Sequence, residues 1–125
     1  MQAINKKGTY STPAVILDAE KGVFEISGRS LPEDVVAFYG PILDWLDEYA
    51  KSPGEKTIFN FKLVYYNTAS SKLLYEIMVK LKNILDIGSD VLVRWHYDED
   101  DEDMEEAGEE YAEVVEDLPF EQVSY

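Results

Sequence analysis

The sequence predicts a single α/β domain, residues 1–125, with a mixed sheet of four to five strands and about three helices. One observation behind this prediction is the order of the periodic segments, which runs strand, strand, helix, strand, helix, strand, helix. A second is their spacing. A short loop separates the first two strands and indicates an antiparallel hairpin, whereas helices separate the later strands and indicate right-handed parallel crossovers. The chain has no internal repeat and no dividing linker.

The opening hairpin is predicted from residues 14–17 and 23–27, two apolar or alternating runs around a turn that ends in Gly22. Gly28 and Arg29 are expected to end the second strand.

A first helix is predicted to begin after Ser30 and to run to about Lys51. Ser30 stands three residues before Glu33, which is the spacing of a capping box, and Pro32 falls in the first turn. Pro41 lies inside the predicted helix and is expected to kink or split it.

The central strand is predicted over residues 56–66, the longest alternating run of the chain. Its alternation places Phe59, Leu63 and Tyr65 on one face, against which helices are expected to pack. Tyr66 falls on the other face, which is mixed and should be partly exposed.

The remaining elements follow in order. A second helix is predicted from the apolar stripe over residues 73–85, with Gly88 as its stop. A strand over residues 91–97 comes next, and then a third helix from Met104 to about Leu118. The last residues are expected to form an edge strand or a tail.

The turn between the central strand and the second helix contains the main candidate site: Asn67, Thr68, Ser70, Ser71 and Lys72. A helix N-terminus offers free N–H groups and the positive end of the helix dipole, so it suits a phosphate. We therefore predict Thr68 as a regulatory phosphorylation site, with Ser70 and Ser71 as secondary acceptors or as caps. The structural alternative is an ordinary N-cap, which contributes about 1 kcal/mol to its helix.

The composition argues against several classes of function. The net charge is −15, but residues 1–97 hold all 11 Lys and Arg and 12 of the 26 acids, and residues 98–125 hold the other 14 acids. Nucleic acids and anionic membranes are disfavoured as partners because they require clustered positive charge. There is no cysteine, no signal-peptide-like start and no long apolar run, so a soluble cytoplasmic protein is expected.

No catalytic residue, cofactor or metal ion is predicted. His96 is the single histidine, and no GxGxxG, P-loop or HExxH motif accompanies it. An enzyme with a pocket near Tyr65, Tyr66 and His96 is one alternative to the regulatory hypothesis.

The acidic segment, residues 98–117, offers another alternative. Four of its acids stand at positions 1, 3, 5 and 12 of an EF-hand-like loop: Asp98, Asp100, Glu102 and Glu109. Position 6, however, is Asp103 where the motif needs glycine, and a strand precedes the loop where the motif has a helix. A solvated acidic face is the default, and a calcium-responsive or constitutive protein-binding module is the alternative.

Two stretches resemble the SiaC family of bacterial regulatory phosphoproteins. The first is Phe61-Lys-Leu-Val-Tyr-Tyr-Asn-Thr-Ala-Ser-Ser-Lys72, and the second is Trp95-His-Tyr-Asp-Glu-Asp-Asp-Glu-Asp-Met104, followed by Gly108-Glu109. The helix start Leu31-Pro-Glu-Asp34 fits as well. The resemblance extends over roughly residues 10 to 120.

This resemblance implies a STAS-like fold, the fold of anti-sigma-factor antagonists, and a mechanism of partner switching. A protein kinase would phosphorylate Thr68 and a PP2C-type phosphatase would remove the phosphate. The unphosphorylated form would bind and activate a downstream target such as a diguanylate cyclase, which promotes biofilm formation. The chain would then be a non-enzymatic regulator, monomeric when free, with Asn67, Ser70, Ser71 and Lys72 in the partner-binding turn.

Overall fold

The computed structural model describes all 125 residues and contains a six-stranded sheet with three helices. The elements are β1 (Ile4–Lys6), β2 (Ala14–Asp18), β3 (Val23–Ser30), α1 (Val35–Tyr49), β4 (Lys56–Tyr66), α2 (Thr68–Asp86), β5 (Asp90–Tyr97), α3 (Glu102–Val114) and β6 (Phe120–Ser124). The predicted α/β class and the three helices are confirmed. None of the helices combines the length and the apolar character needed to cross a membrane.

The sheet is mixed, as predicted, and its strands lie in sequence order from β1 to β6. The pairs β1–β2 and β2–β3 are antiparallel, and the pairs β3–β4, β4–β5 and β5–β6 are parallel. Six strands are slightly more than the predicted four to five. The additional strand is β1, whose three residues, Ile-Asn-Lys, are too few and too polar to show an alternating pattern.

One face of the sheet carries the core. Alternate residues of the inner strands are buried with the apolar stripes of the helices in one cluster of 23 side chains. Its centre is aromatic: Phe59 and Phe61 of β4 lie 4.8 Å apart between ring centroids, and Trp95 of β5 lies 5.7 Å from Phe61. The opposite face of the sheet carries half-exposed residues, so the helices form a single layer.

The helix α1 begins later than predicted. Asp34 is its N-cap, and the Asp34 carboxylate accepts a 3.0 Å hydrogen bond from the backbone N–H of Ala37. The predicted capping box of Ser30 and Glu33 is wrong, because Ser30 is the buried last residue of β3. The helix runs without interruption through Pro41, so it is not split there.

A β-bulge changes which side chains of β4 face the core. Gly28 of β3 pairs with Leu63, but Arg29 pairs with Tyr65, so Val64 is an extra residue without a partner on β3. Beyond such a bulge the alternation of faces reverses. The predicted faces of Tyr65 and Tyr66 are therefore wrong.

After the bulge, Tyr65 is 46% exposed, whereas Tyr66 packs edge-on against Trp95 in the core layer. The expected end of the second strand at Gly28 and Arg29 is also wrong. Gly28 adopts a φ of 99°, which glycine tolerates, and β3 continues through the irregularity to Ser30.

Candidate functional site

The central strand passes into α2 with a single intervening residue. Asn67 is that residue and the N-cap of α2, and its Oδ1 accepts a 2.8 Å hydrogen bond from the backbone N–H of Ser70. The Asn67 N–H donates to the carbonyl of Ser30 at 3.0 Å. Asn67 thus fixes both the start of α2 and its position against β3.

Thr68 is the first residue of α2 and is exposed. Because Asn67 is the cap, the Thr68 hydroxyl is not needed for capping, and it makes no hydrogen bond within the chain. The ordinary-cap alternative therefore applies to Asn67 and not to Thr68. The Thr68 hydroxyl is therefore exposed to solvent and free of internal hydrogen bonds.

The other residues of the turn differ in accessibility. Ser70 is fully buried, so its position is that of a structural side chain and not of an accessible phosphate acceptor. Ser71 is half-buried, and its hydroxyl donates to the Thr68 carbonyl at 2.6 Å. Lys72 is exposed, lies one helical turn beyond Thr68 and forms no ion pair with a carboxylate.

Buried hydroxyl groups hold this turn on the α1 side. The Tyr39 hydroxyl lies 2.6 Å from the Ser30 hydroxyl, which donates to the Ser70 hydroxyl at 2.9 Å. The Ser70 hydroxyl in turn donates to the Ser30 carbonyl at 3.1 Å. Burial raises the pKa of Tyr39 to about 12, so this phenol is neutral at physiological pH.

A second tyrosine holds the turn on the α3 side. The Tyr111 hydroxyl donates to the Ser71 carbonyl at 2.8 Å. Burial, followed by the neighbouring Tyr66, raises the pKa of Tyr111 well above its usual value, and burial also raises the pKa of Tyr66. The start of α2 is therefore attached to β3, α1 and α3.

The roles of three of these residues were not predictable from the sequence. Ser30 resembled a helix cap, and no local pattern singled out Tyr39 or Tyr111. Their hydrogen-bond partners lie up to 40 positions away in the chain, and no local pattern reports such a contact.

A groove of about 530 Å³ lies beside the turn, between α2 and α3. Ser71 and Lys72 line one wall, Tyr111 and Val114 line the other, and Tyr66 lies between them. The predicted turn residues Ser71 and Lys72 thus form part of a concave surface next to Thr68.

The acidic residues before α3 form hydrogen bonds with backbone N–H groups close to them in the chain. Asp98 accepts from the backbone N–H of Asp100 at 2.9 Å, and Asp101 is the N-cap of α3, accepting from the Met104 N–H at 3.0 Å. Glu109 belongs to the middle of α3. No three carboxylates are arranged so that they would hold a metal ion.

His96 lies away from the turn, on the half-exposed face of the sheet. Its Nε2 is 2.8 Å from the Asn60 Oδ1. Partial burial and the neighbouring Lys62 lower the pKa of His96, so the imidazole is neutral at physiological pH. Tyr66 faces the helix layer, so the structure does not bring His96 and Tyr66 together in one pocket.

These observations define a class of protein: an α/β domain that presents an accessible threonine at a helix start fastened by hydrogen bonds, beside a concave surface. The chain belongs to the SiaC family of regulatory phosphoproteins, whose family model matches residues 6–125.

Known relatives agree with this assignment. The chain is 32% identical over 113 residues to an uncharacterized protein of Pseudomonas aeruginosa (strain UCBPP-PA14), covering 90% of each chain. It superposes on the crystal structure of apo-SiaC from Pseudomonas aeruginosa with a TM-score of 0.88 at 30% identity, covering 98% of this chain and 99% of the other.

A third similarity concerns a complex. The chain matches a component of the crystal structure of the diguanylate cyclase SiaD in complex with its activator SiaC from Pseudomonas aeruginosa. The TM-score is 0.89 at 31% identity, with 98% of this chain and 99% of that chain covered. The relative named SiaC is thus the activator of a diguanylate cyclase.

Proposed function

We propose that this chain is a non-enzymatic activator of a diguanylate cyclase and that phosphorylation of Thr68 switches the activation off. The observation that carries the proposal is the state of Thr68: its hydroxyl is exposed and unbonded, while Asn67 and Ser70 on either side are fixed by hydrogen bonds. A protein kinase would add the phosphate and a PP2C-type phosphatase would remove it, both in the cytoplasm.

The fold should tolerate the phosphate. A phosphothreonine carries about −1.5 to −2 charges at pH 7. At the first position of α2 this charge meets the positive end of the helix dipole and the free N–H groups of the first turn. Lys72 lies one turn further on and has no ion-pair partner, so its ammonium group is free to pair with the phosphate.

A partner protein packed over the turn should not tolerate a phosphate on Thr68. The unmodified threonine presents a methyl and a neutral hydroxyl group, whereas phosphothreonine presents a bulky dianion. Removing a charged group from water is costly unless the partner provides compensating donors. The modification would therefore weaken the complex without unfolding either protein.

The identity of the proposed target rests on the relative. SiaC of Pseudomonas aeruginosa is the activator in a complex with the diguanylate cyclase SiaD, and this chain has the same fold over nearly its whole length. We extend that role to this chain, with biofilm formation as the process controlled through cyclic di-GMP.

The test combines site mapping with binding. Mass spectrometry of the protein from its native cells, with phosphatases inhibited, should find a single phosphate on Thr68. The phosphate should disappear in Thr68→Ala and persist in Ser71→Ala, the matched control one turn away. A phosphate that maps only to another residue would overturn the assignment of Thr68.

The binding experiment uses a diguanylate cyclase encoded in the same genome. Unmodified chain and Thr68→Ala should bind and activate it equally, whereas the phosphorylated chain should bind at least about 100-fold more weakly. Thr68→Ala should lose no more than about 0.5 kcal/mol of stability, because the hydroxyl makes no internal contact. Equal binding by both phosphorylation states would contradict the switch.

A further inference from the structure

The sheet ends at β6, which pairs with β5 on one side only. The Val93 N–H donates to the Pro119 carbonyl at 2.9 Å. The Tyr125 N–H donates to the Tyr97 carbonyl at 3.0 Å. Because backbone groups alternate in direction along a strand, the even-numbered residues of β6 point their N–H and C=O groups away from β5. These groups form what we call the β6 edge, and they belong to Phe120, Gln122 and Ser124.

One flank of α3 lies over the β6 edge. The Glu105 carbonyl accepts a 2.9 Å hydrogen bond from the Gln122 Nε2. Glu109 follows one helical turn later on the same face, and it is exposed. Ala107 and Tyr111, in contrast, line the groove on the side of α3 that faces α2. The flank with Glu105 and Glu109 is therefore the one turned away from α2 and toward the open end of the sheet.

Negative charge surrounds the β6 edge. Residues 98–125 hold 14 acids and no basic residue, and the pair of Glu121 with Arg94 is the single ion pair that reaches them. The Glu105 carboxylate accepts a 3.1 Å hydrogen bond from the Tyr97 hydroxyl. Glu109 forms no ion pair. An open strand edge thus lies beside carboxylates whose charge nothing in the chain compensates.

We propose that the β6 edge binds an extended basic segment of a partner protein, which adds to the sheet as a seventh strand. Backbone hydrogen bonds to β6 provide the affinity, and alternate side chains provide the specificity. One set of side chains faces Glu109 and is basic. The other set continues the face that carries Val123 and suits β-branched residues. A second copy joined edge to edge is disfavoured, because it would bring two acidic flanks together.

The β6 edge is separate from the turn at Thr68. The strand β6 lies two strands beyond β4, which is about 10 Å across the sheet. The groove lined by Ser71 and Lys72 lies on the other side of α3. A seventh strand would leave Thr68 uncovered, so its binding should be the same with and without a phosphate there. The inference is therefore independent of the proposed function, and its experiments require neither a kinase nor a cyclase.

The probe is a nine-residue peptide with Lys at alternate positions and Val or Thr between them. It is added at low salt to the isotope-labelled full chain, and amide hydrogen exchange is followed by NMR. When nine-tenths of the chain is bound, exchange at Phe120, Gln122 and Ser124 should slow by about tenfold, because these amides are then released only with the peptide. Slowing confined to other residues, or no binding at about 1 mM peptide, would overturn the proposal.

N-methylated peptides test whether the segment binds as a strand. In an extended strand, alternate residues bond to the neighbouring strand and the others point to solvent. One peptide carries N-methyl groups on Val and Thr, and the other carries them on Lys. Addition to β6 predicts that one of the two loses at least about tenfold in affinity while the other retains it. Loss on Val and Thr indicates a parallel strand, and loss on Lys indicates an antiparallel strand. Equal affinities of the two peptides would overturn strand addition.

Two variants with the same change in net charge locate the peptide on the surface. Glu109→Lys places a cation on the flank of α3 beside the β6 edge. Glu20→Lys makes the same change at an exposed position of the turn between β2 and β3. Binding at the β6 edge predicts about tenfold weaker affinity for Glu109→Lys and at most about twofold weaker affinity for Glu20→Lys. Equal losses for both variants would show that total charge holds the peptide, and would overturn the proposed site.

Discussion

At the scale of single residues, the position of Thr68 depends on buried hydroxyl groups whose hydrogen bonds to one another were not predictable from the sequence. Ser30, Tyr39 and Ser70 are fully buried, and each donates one hydrogen bond: Tyr39 to Ser30, Ser30 to Ser70, and Ser70 to the Ser30 carbonyl. A buried hydroxyl without a partner costs about 1–3 kcal/mol. The fully paired set therefore fastens α2 to β3 and α1.

Replacing Ser70 should reveal this dependence. Ser70→Ala leaves the Ser30 hydroxyl without its acceptor, so we expect a loss of about 1–3 kcal/mol in the free energy of unfolding, measured in urea. Ser71→Ala is the control, because the half-buried Ser71 hydroxyl bonds only to the nearby Thr68 carbonyl; its effect should stay within about 0.5 kcal/mol. Equal losses for the two variants would show that the buried set has no special role.

At the scale of elements, the way α3 is attached to the sheet depends on one glycine. Gly108 lies in the middle of α3, where glycine costs about 1 kcal/mol relative to alanine. A Cβ at this position would lie 2.5 Å from the Trp95 Cδ1 and 2.6 Å from the Gln122 Oε1. Trp95 is held by burial and by its 2.9 Å hydrogen bond to the Met104 carbonyl, so the close approach of α3 requires glycine.

Alanine should therefore have opposite effects at two helical glycines. Gly108→Ala should destabilise the fold by about 1–3 kcal/mol, because overpacking exceeds the gain in helix propensity. Gly40→Ala in α1 meets no atom within 4 Å and should stabilise by up to about 1 kcal/mol. Thermal unfolding followed by circular dichroism measures both, and a stabilising Gly108→Ala would contradict the packing argument.

The same elements show what sequence periodicity could and could not predict. Helices and long strands were predictable because many residues repeat the same spacing, and Thr68 was placed at the start of α2 because a strand, a hydroxyl-containing turn and a helix follow directly. The bulge at Val64 was not predictable, since one extra residue in a strand leaves no local sign. The capping role of Asn67 was likewise undecided among several suitable neighbours.

Non-local contacts explain the other failures. Ser30 has the spacing of a capping box with Glu33, but pairing with β4 and bonding to Tyr39 keep it in a strand. The attachment of Tyr111 to the Ser71 carbonyl joins residues 40 positions apart. At these positions tertiary contacts, and not the local sequence pattern, determine the conformation and the hydrogen-bond partners.

At the scale of the whole molecule, charge is distributed very unevenly. Residues 1–97 are nearly neutral, whereas residues 98–125 hold 14 acids and no basic residue. The ion pair between Arg94 and Glu121 is the single one that reaches the acidic region, and the other four ion pairs lie within the nearly neutral part. Folding brings the remaining carboxylates together around α3, so like charges repel one another more strongly in the native state than in the unfolded chain.

Salt should therefore stabilise this protein, because the screening length falls from about 30 Å at 0.01 M to about 10 Å at 0.1 M ionic strength. We expect the free energy of unfolding to rise by on the order of 1 kcal/mol between about 0.01 M and 0.5 M sodium chloride. Urea unfolding at fixed pH measures this dependence. A free energy that stays constant or falls with salt would contradict a repulsive acidic region.

Two triple variants with the same change in net charge locate the repulsion. The first converts three exposed acids of α3 to Lys: Glu106, Glu109 and Glu113. The second converts three exposed acids of the nearly neutral part to Lys: Glu20, Glu33 and Asp44. If repulsion is concentrated around α3, the first variant loses most of the salt dependence and the second retains most of it. Equal slopes would mean that the total charge, and not its position in the fold, sets the salt response.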